Sequence, residues 1–95
     1  MHVITRKRIL EFSRLHPDSR PALEAWHTLV EKTRFLSFPD LRKTFPSADW
    51  MSGLVVFNIG GNKYRLIAAI HFNRGKLYIR HILTHAEYDK GGWRS

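Results

Sequence analysis

The sequence predicts an α+β fold: N-terminal helices packed on one face of a small, mainly antiparallel sheet, with a basic face left open. Three observations carry that expectation. Leu23, Trp26, Leu29 or Val30, and Phe35 recur at helical spacing in the first half of the chain. The stretch from Val55 to Thr84 holds extended apolar runs punctuated by Gly60-Gly61 and Arg74-Gly75, the turn signals of a three-stranded meander. Alternation along those runs separates an apolar side from a side that carries cations.

Taken in order, His2-Val3-Ile4 is short and apolar and is expected to add a strand. Thr5 is expected to cap the next helix, its hydroxyl accepting a backbone N–H of the first turn. In that helix Ile9, Leu10, Phe12 and Leu15 lean one way, while Arg6, Lys7, Arg8, Glu11 and Arg14 point away. His16-Pro17 ends it, because the residue before proline avoids the α region. Asp18 or Ser19 opens a second helix, with Pro21 in its first turn, running to about Arg34. Ser37-Phe38-Pro39-Asp40 starts a short third helical turn from which Leu41 and Phe45 pack inward. Trp50 and Met51 lead into the first meander strand. Nothing reads as a linker, repeat or low-complexity segment, so residues 1–95 are expected to form a single domain.

Two-residue loops in the meander would pair Phe57 with Tyr64 and Val55 with Leu66, then Arg65 with Thr84 and Ala69 with Arg80; a four-residue second loop keeps the same parity. That register places Val55, Phe57, Leu66, Ala68, Ile70, Phe72, Leu77, Ile79 and Leu83 on the apolar side, with His81 intruding. Asn58, Lys63, Arg65, His71, Arg80 and Thr84 take the other side, among Val56, Ile67, Ala69, Tyr78 and Ile82. No acid comes after Asp49 until Glu87, so the charges on this side do not alternate in sign as on an ordinary solvated face. Beyond the meander, Thr84 and Glu87 have capping-box spacing. His85 and Tyr88, three apart, share a face of the turn so formed, which is expected to deliver them beside Arg65. Gly91-Gly92 ends the turn and Trp93-Arg94-Ser95 reads as a tail.

Composition narrows the chemistry. The chain has no cysteine, which excludes disulfides, thiolate metal sites and a cysteine nucleophile. It has no apolar run long enough for a membrane span, so a cytoplasmic location with no membrane partner is expected. Lys and Arg number 16 against 8 acids, a formal charge of +8, and a small domain this basic meets a polyanion or an acidic partner. Residues 60–95 hold seven bases against two acids, residues 1–59 nine against six, so the excess lies with the meander.

Lys63, Arg65, Arg80, His85 and Tyr88 are therefore expected to converge. Guanidinium forks match phosphate oxygens and stay charged. Histidine moves a proton near neutrality. Aromatic rings stack single-stranded bases. The set suits cleavage of an RNA phosphodiester, in which the 2′-hydroxyl is deprotonated, guanidinium holds the phosphorane and a proton reaches the leaving 5′ oxygen. Arg65, Arg80, His85 and Tyr88 are the expected catalytic residues, and Asn58, Lys63 and Lys90 the expected RNA contacts. Glu87 and Asp89 alone do not make a metal site, and His81 and His85 straddle a strand end, so neither a metal nor another cofactor is expected.

Val-Phe-Asn-Ile-Gly-Gly-Asn-Lys-Tyr-Arg-Leu-Ile (56–67), Tyr-Ile-Arg (78–80), Thr-His-Ala-Glu-Tyr-Asp-Lys (84–90) and Phe-Pro-Ser-Ala-Asp (45–49) resemble the HigB-type toxins of bacterial type II toxin–antitoxin modules, relatives of the RelE-like mRNA interferases. The resemblance covers essentially the whole chain. It implies a RelE-like fold, cleavage of mRNA in the ribosomal A site and neutralisation by a helix-turn-helix, HigA-type antitoxin. By motif position it implies that Arg65 and Arg80 contact phosphate, that Tyr88 stacks or assists at the scissile nucleotide, and that His85 is the histidine found near that tyrosine in some members. Of the lysine pair common in the wider superfamily only Lys63 has a counterpart here, which leaves the general base open. Two other classes stay open on sequence alone: a non-catalytic RNA- or ribosome-binding module, and a toxin of the same fold that inhibits a protein target such as gyrase.

Overall fold

The computed structural model describes residues 1–94; Ser95, the end of the expected tail, lies outside the described residues. Strands His2–Ile4 (β1), Asp49–Met51 (β2), Leu54–Ile59 (β3), Tyr64–His71 (β4) and Lys76–Thr84 (β5) form one sheet in the order β1-β5-β4-β3-β2. β1 runs parallel to β5 and the other neighbours are antiparallel. The helices are Lys7–Leu15 (α1), Arg20–Glu31 (α2), Phe38–Thr44 (α3) and His85–Lys90 (α4). This is the α+β architecture expected, and it is consistent with a RelE-like fold.

One layer of the core is made where α1, α2 and α3 cover the sheet. Ile9 and Phe12 from α1, Leu23, Trp26 and Val30 from α2, and Leu41 from α3 meet Val55, Phe57, Leu66, Ala68, Leu77 and Ile79. Trp26 packs edge-on against Phe57, with ring centroids 5.3 Å apart. Burial of these side chains is what holds helices too short to be stable alone.

The helix termini differ from the expectation in two places. Thr5 does not cap α1. It lies in left-handed backbone (φ 70°), and its hydroxyl accepts the Ile79 N–H at 3.0 Å, stitching the turn between β1 and α1 to β5. α2 stops at Glu31, short of Arg34. There the terminal ammonium of Met1 donates to the carbonyls of Val30, Glu31 and Thr33 at 3.1, 3.3 and 2.6 Å, a cation at the negative end of the helix. Ser37 caps α3 as expected, its hydroxyl accepting the Asp40 N–H at 3.2 Å.

The meander register is shifted from the expected one. Phe57 pairs with Leu66 and Val55 with Ala68, so the first loop spans four residues, 60–63, and parity is kept. Trp50 and Met51 belong to a separate edge strand, β2, joined to β3 by Ser52-Gly53, both with positive φ. At the far end of the second hairpin Ala69 pairs with Tyr78, not Arg80. A bulge then leaves Arg80 without a partner, since Ala68 pairs with Ile79 but Ile67 with His81. The extra residue inverts the faces of the rest of β5. His81 and Leu83 move to the side of Ile67 and Arg65, and Ile82 moves into the helix-covered core. Arg65 accordingly faces Leu83, and Thr84 pairs with Tyr64. The uninterrupted alternation assumed from sequence failed at this single residue.

The face away from α1–α3 is not bare. Val56, Ile67 and Trp93 form a second, small apolar cluster there, joined by Met51, Leu54, Leu83 and Tyr88. α4 and the turn after it therefore roof part of the sheet, and within the expected tail Trp93 is buried.

Candidate active site

The site is assembled from the β3–β4 loop, β4, β5 and α4. Arg65 projects from β4 beside Ile67 and is 8% exposed. Its Nη1 donates to the carbonyls of Asn62 and Tyr64, each at 3.2 Å, and its Nη2 donates to Asn62 Oδ1 at 2.6 Å. The Nε–H takes no part in these bonds. The loop thus orients the guanidinium before any ligand arrives, and a buried charge so satisfied does not carry an unpaired desolvation penalty. Above it lies the Tyr88 ring, with the Arg65 Cζ 5.4 Å from the ring centroid, a cation–π contact.

α4 begins at Thr84, where the capping box forms as expected: the Thr84 hydroxyl accepts the Glu87 N–H at 3.2 Å and Glu87 Oε1 accepts the Thr84 N–H at 2.9 Å. The bond to the Thr84 backbone, chiefly, holds the Glu87 carboxyl below the usual carboxylate range. The first helical residue, His85, donates its backbone N–H to the Lys63 carbonyl at 3.1 Å, which ties α4 to the loop that holds Arg65. The His85 ring is half-exposed, and its Nδ1 lies 2.9 Å from Asp89 Oδ2, one turn along. Tyr88 is half-buried, and its hydroxyl donates to Met51 Sδ at 3.6 Å. The face of Tyr88 that meets Arg65 is therefore its ring, with the phenol turned to β2.

The expected residues do not all meet. Arg65, Tyr88 and α4 come together. Lys63 does not join them, because its ammonium turns to Asp18 at 3.4 Å, in front of the helix layer. Asp18 also accepts the Tyr64 hydroxyl at 2.7 Å; that bond lowers the Asp18 carboxyl and raises the Tyr64 phenol from their ordinary values. Asn58 is exposed and is the register partner of Arg65. Lys90 is exposed at the end of α4. Arg80 is exposed at the bulge, and among the described residues no hydrogen bond or ring contact links it to Arg65, His85 or Tyr88. Burial, chiefly, and the charges of Arg8 and Arg80 hold the neighbouring His81 imidazole below its ordinary value. Among the described residues no three His, Asp or Glu side chains gather into a group that could hold a metal ion.

Asn62, Asp89 and Trp93 were missed by the sequence reading. Asn62 falls outside the two-residue loop expected at Gly60-Gly61, and its role depends on Arg65 folding back over the longer loop that forms. Asp89 was visible four residues after His85, the helical spacing at which side chains meet. Trp93 carried a weak signal: a large apolar ring just past a glycine helix stop.

A family model for the HigB toxin, the RelE-like toxic component of a toxin–antitoxin system, matches residues 19–91. The chain belongs to the HigB toxin family. It is 36% identical over 92 residues to the mRNA interferase toxin HigB of Escherichia coli (strain K12), covering 94% of this chain and 88% of that protein. The mRNA interferase HigB of Shigella flexneri is similar to the same extent. That of Escherichia coli O6:H1 is 33% identical over 93 residues, covering 95% of this chain and 90% of the relative. In this HigB-family chain the matched stretch runs from the start of α2 to the C-cap of α4, and so contains Arg65, Arg80, His85 and Tyr88 but not Trp93. No helix among the described residues is long and apolar enough to cross a membrane.

Proposed function

We infer that this HigB-family chain is an endoribonuclease that cleaves mRNA without a metal ion and so stops translation. The observation that carries the reading is Arg65, preoriented by Asn62 and lying under the ring of Tyr88, which shares the short helix α4 with His85. The relatives named mRNA interferases support the substrate.

In the proposed reaction the Arg65 guanidinium faces the scissile phosphate and stabilises the charge that grows on its oxygens. The contact with Asp89 keeps a proton on His85 Nδ1 and leaves Nε2 free to take the 2′-hydroxyl proton. The 2′ oxygen attacks phosphorus, the bond from phosphorus to the 5′ oxygen breaks, and the proton passes to that oxygen. The products are a 2′,3′-cyclic phosphate and a 5′-hydroxyl. Arg80 stands one strand over and three residues along from Leu83, the partner of Arg65. That is roughly 11 Å at the backbone, from three residues of rise and one interstrand spacing. Arg80 is therefore assigned to a neighbouring phosphate, with Asn58 and Lys90 as outer RNA contacts.

The toxin acts in the cytoplasm on message in the ribosomal A site, and an acidic segment of a helix-turn-helix, HigA-type antitoxin restrains it. The net charge of +8 suits both the message and such a partner. Incubation of the chain with ribosomes carrying a defined message, with analysis of the new ends, tests the chemistry. Cyclic phosphate and 5′-hydroxyl ends are expected, and 5′-phosphate ends, the mark of attack by a metal-activated water, would overturn it. Primer extension on transcripts after induction, with and without blocked translation, tests the ribosome.

A further inference from the structure

We propose that Trp93 is a positioning residue for this site, holding the Tyr88 ring against the Arg65 guanidinium; the inference rests on the endoribonuclease reading. α4 has only six residues, too few to keep a helix in place by backbone bonds alone. The capping box and the bond to Lys63 secure its first turn. Its other end is secured by the residues just beyond it. Gly91 takes a left-handed conformation (φ 75°), which folds the chain back over the helix into the turn Gly92–Arg94. Trp93 then lies parallel to Tyr88, with ring centroids 5.2 Å apart and planes 12° from parallel. Its indole N–H donates to the Tyr88 carbonyl at 3.1 Å, so backbone and ring of the same residue are held by one side chain. The indole is 7% exposed and rests on Val56 and Ile67, buried register partners on adjacent strands. The order is sheet, Trp93, Tyr88, Arg65: a chain of contacts that transmits the sheet's rigidity to the guanidinium. Tyr88 and Arg65, on which the Trp93 stack acts, lie within residues 19–91, the span the family model matches.

A plain covering role for Trp93 would need only apolar bulk over Val56 and Ile67. Trp93→Leu keeps an apolar cover, though a smaller one, and removes the aromatic plane; Trp93→Phe keeps a plane. Cleavage of a defined message in the ribosomal A site by both variants and the unsubstituted chain, with kcat and KM separated and thermal unfolding measured in parallel, decides between the roles. We expect Trp93→Leu to stay folded and lose kcat by about a hundredfold with KM unchanged, the scale on which small misplacements of a reacting group act. Trp93→Phe should recover most of that loss. A Trp93→Leu variant that cuts at the rate of the unsubstituted chain overturns the proposal. So does one that is unfolded at the assay temperature, since cover is then all that Trp93 provides. An unsubstituted chain that leaves the message intact on the ribosome as well as free in solution removes the endoribonuclease reading and this inference with it, a failure visible before any variant is compared.

Discussion

At His85 the imidazole is a surface group whose chemistry is set by one neighbour, Asp89, 2.9 Å away. Asp89→Asn should slow RNA cleavage roughly fivefold, the equivalent of about 1 kcal/mol, the upper end for an exposed pair. The measurement is kcat at neutral pH, where loss of the carboxylate removes the preference for a proton on Nδ1. His81 differs because it is partly buried beside Arg8 and Arg80, which keeps its folded-state value below the ordinary 6.5. A base with a depressed value stays neutral in the fold while the unfolded chain takes up a proton, so stability falls as pH drops below the unfolded value. The unsubstituted chain should therefore lose more of its melting temperature than His81→Gln between about pH 7.5 and about pH 5.5. An equal loss in both would show that His81 is not held neutral. At this scale the sequence was a good guide to identity and a poor one to partners. Arg65, His85 and Tyr88 stood out by residue type and spacing. The turn of Lys63 to Asp18 depends on two segments 45 residues apart meeting, and no local pattern reports it.

Among the elements, α4 is the one on which the site depends most. Thr84→Ala removes the hydroxyl that accepts the Glu87 N–H, at a cost of about 1 kcal/mol. We expect a drop of a few degrees in thermal unfolding together with a larger fractional fall in RNA cleavage, because the lost contact lies in the helix that carries His85 and Tyr88. This cap was legible because its spacing is local: Thr84 and Glu87 are three residues apart. The bulge in β5 was not read, although the sequence does hold a trace of it. Leu77, Ile79 and Ile82 break the two-residue rhythm at Arg80, and restarting the alternation there takes His81 out of the apolar core. The Ser52-Gly53 turn was likewise passed over, though Ser-Gly is a recognised turn dipeptide and here both residues have positive φ. The four-residue first loop kept the faces right by parity alone.

For the molecule as a whole, the division of labour comes from its layers. Helices α1–α3 take one side of the sheet, and the side opposite keeps a small aromatic roof with cations around it. Fold class and the faces of β3, β4 and the start of β5 were legible because periodicity and charge asymmetry act over long stretches of the chain. The roof was not, because its second apolar cluster is built from single residues of distant elements. Net charge of +8 implies RNA affinity that falls with salt. Arg80→Ala should weaken RNA binding and reduce the logarithmic salt slope by about 0.7, one phosphate's worth on a single strand, as read by titrations across salt concentrations. An unchanged slope would take Arg80 out of the RNA path.

The central claim is that this face performs chemistry on RNA and does not merely hold it. Single-turnover cleavage of a defined RNA by His85→Ala, alongside its RNA affinity, tests that most directly. A loss of about a hundredfold to ten-thousandfold in rate is predicted, with affinity retained. Cleavage by His85→Ala at the rate of the unsubstituted chain would contradict it.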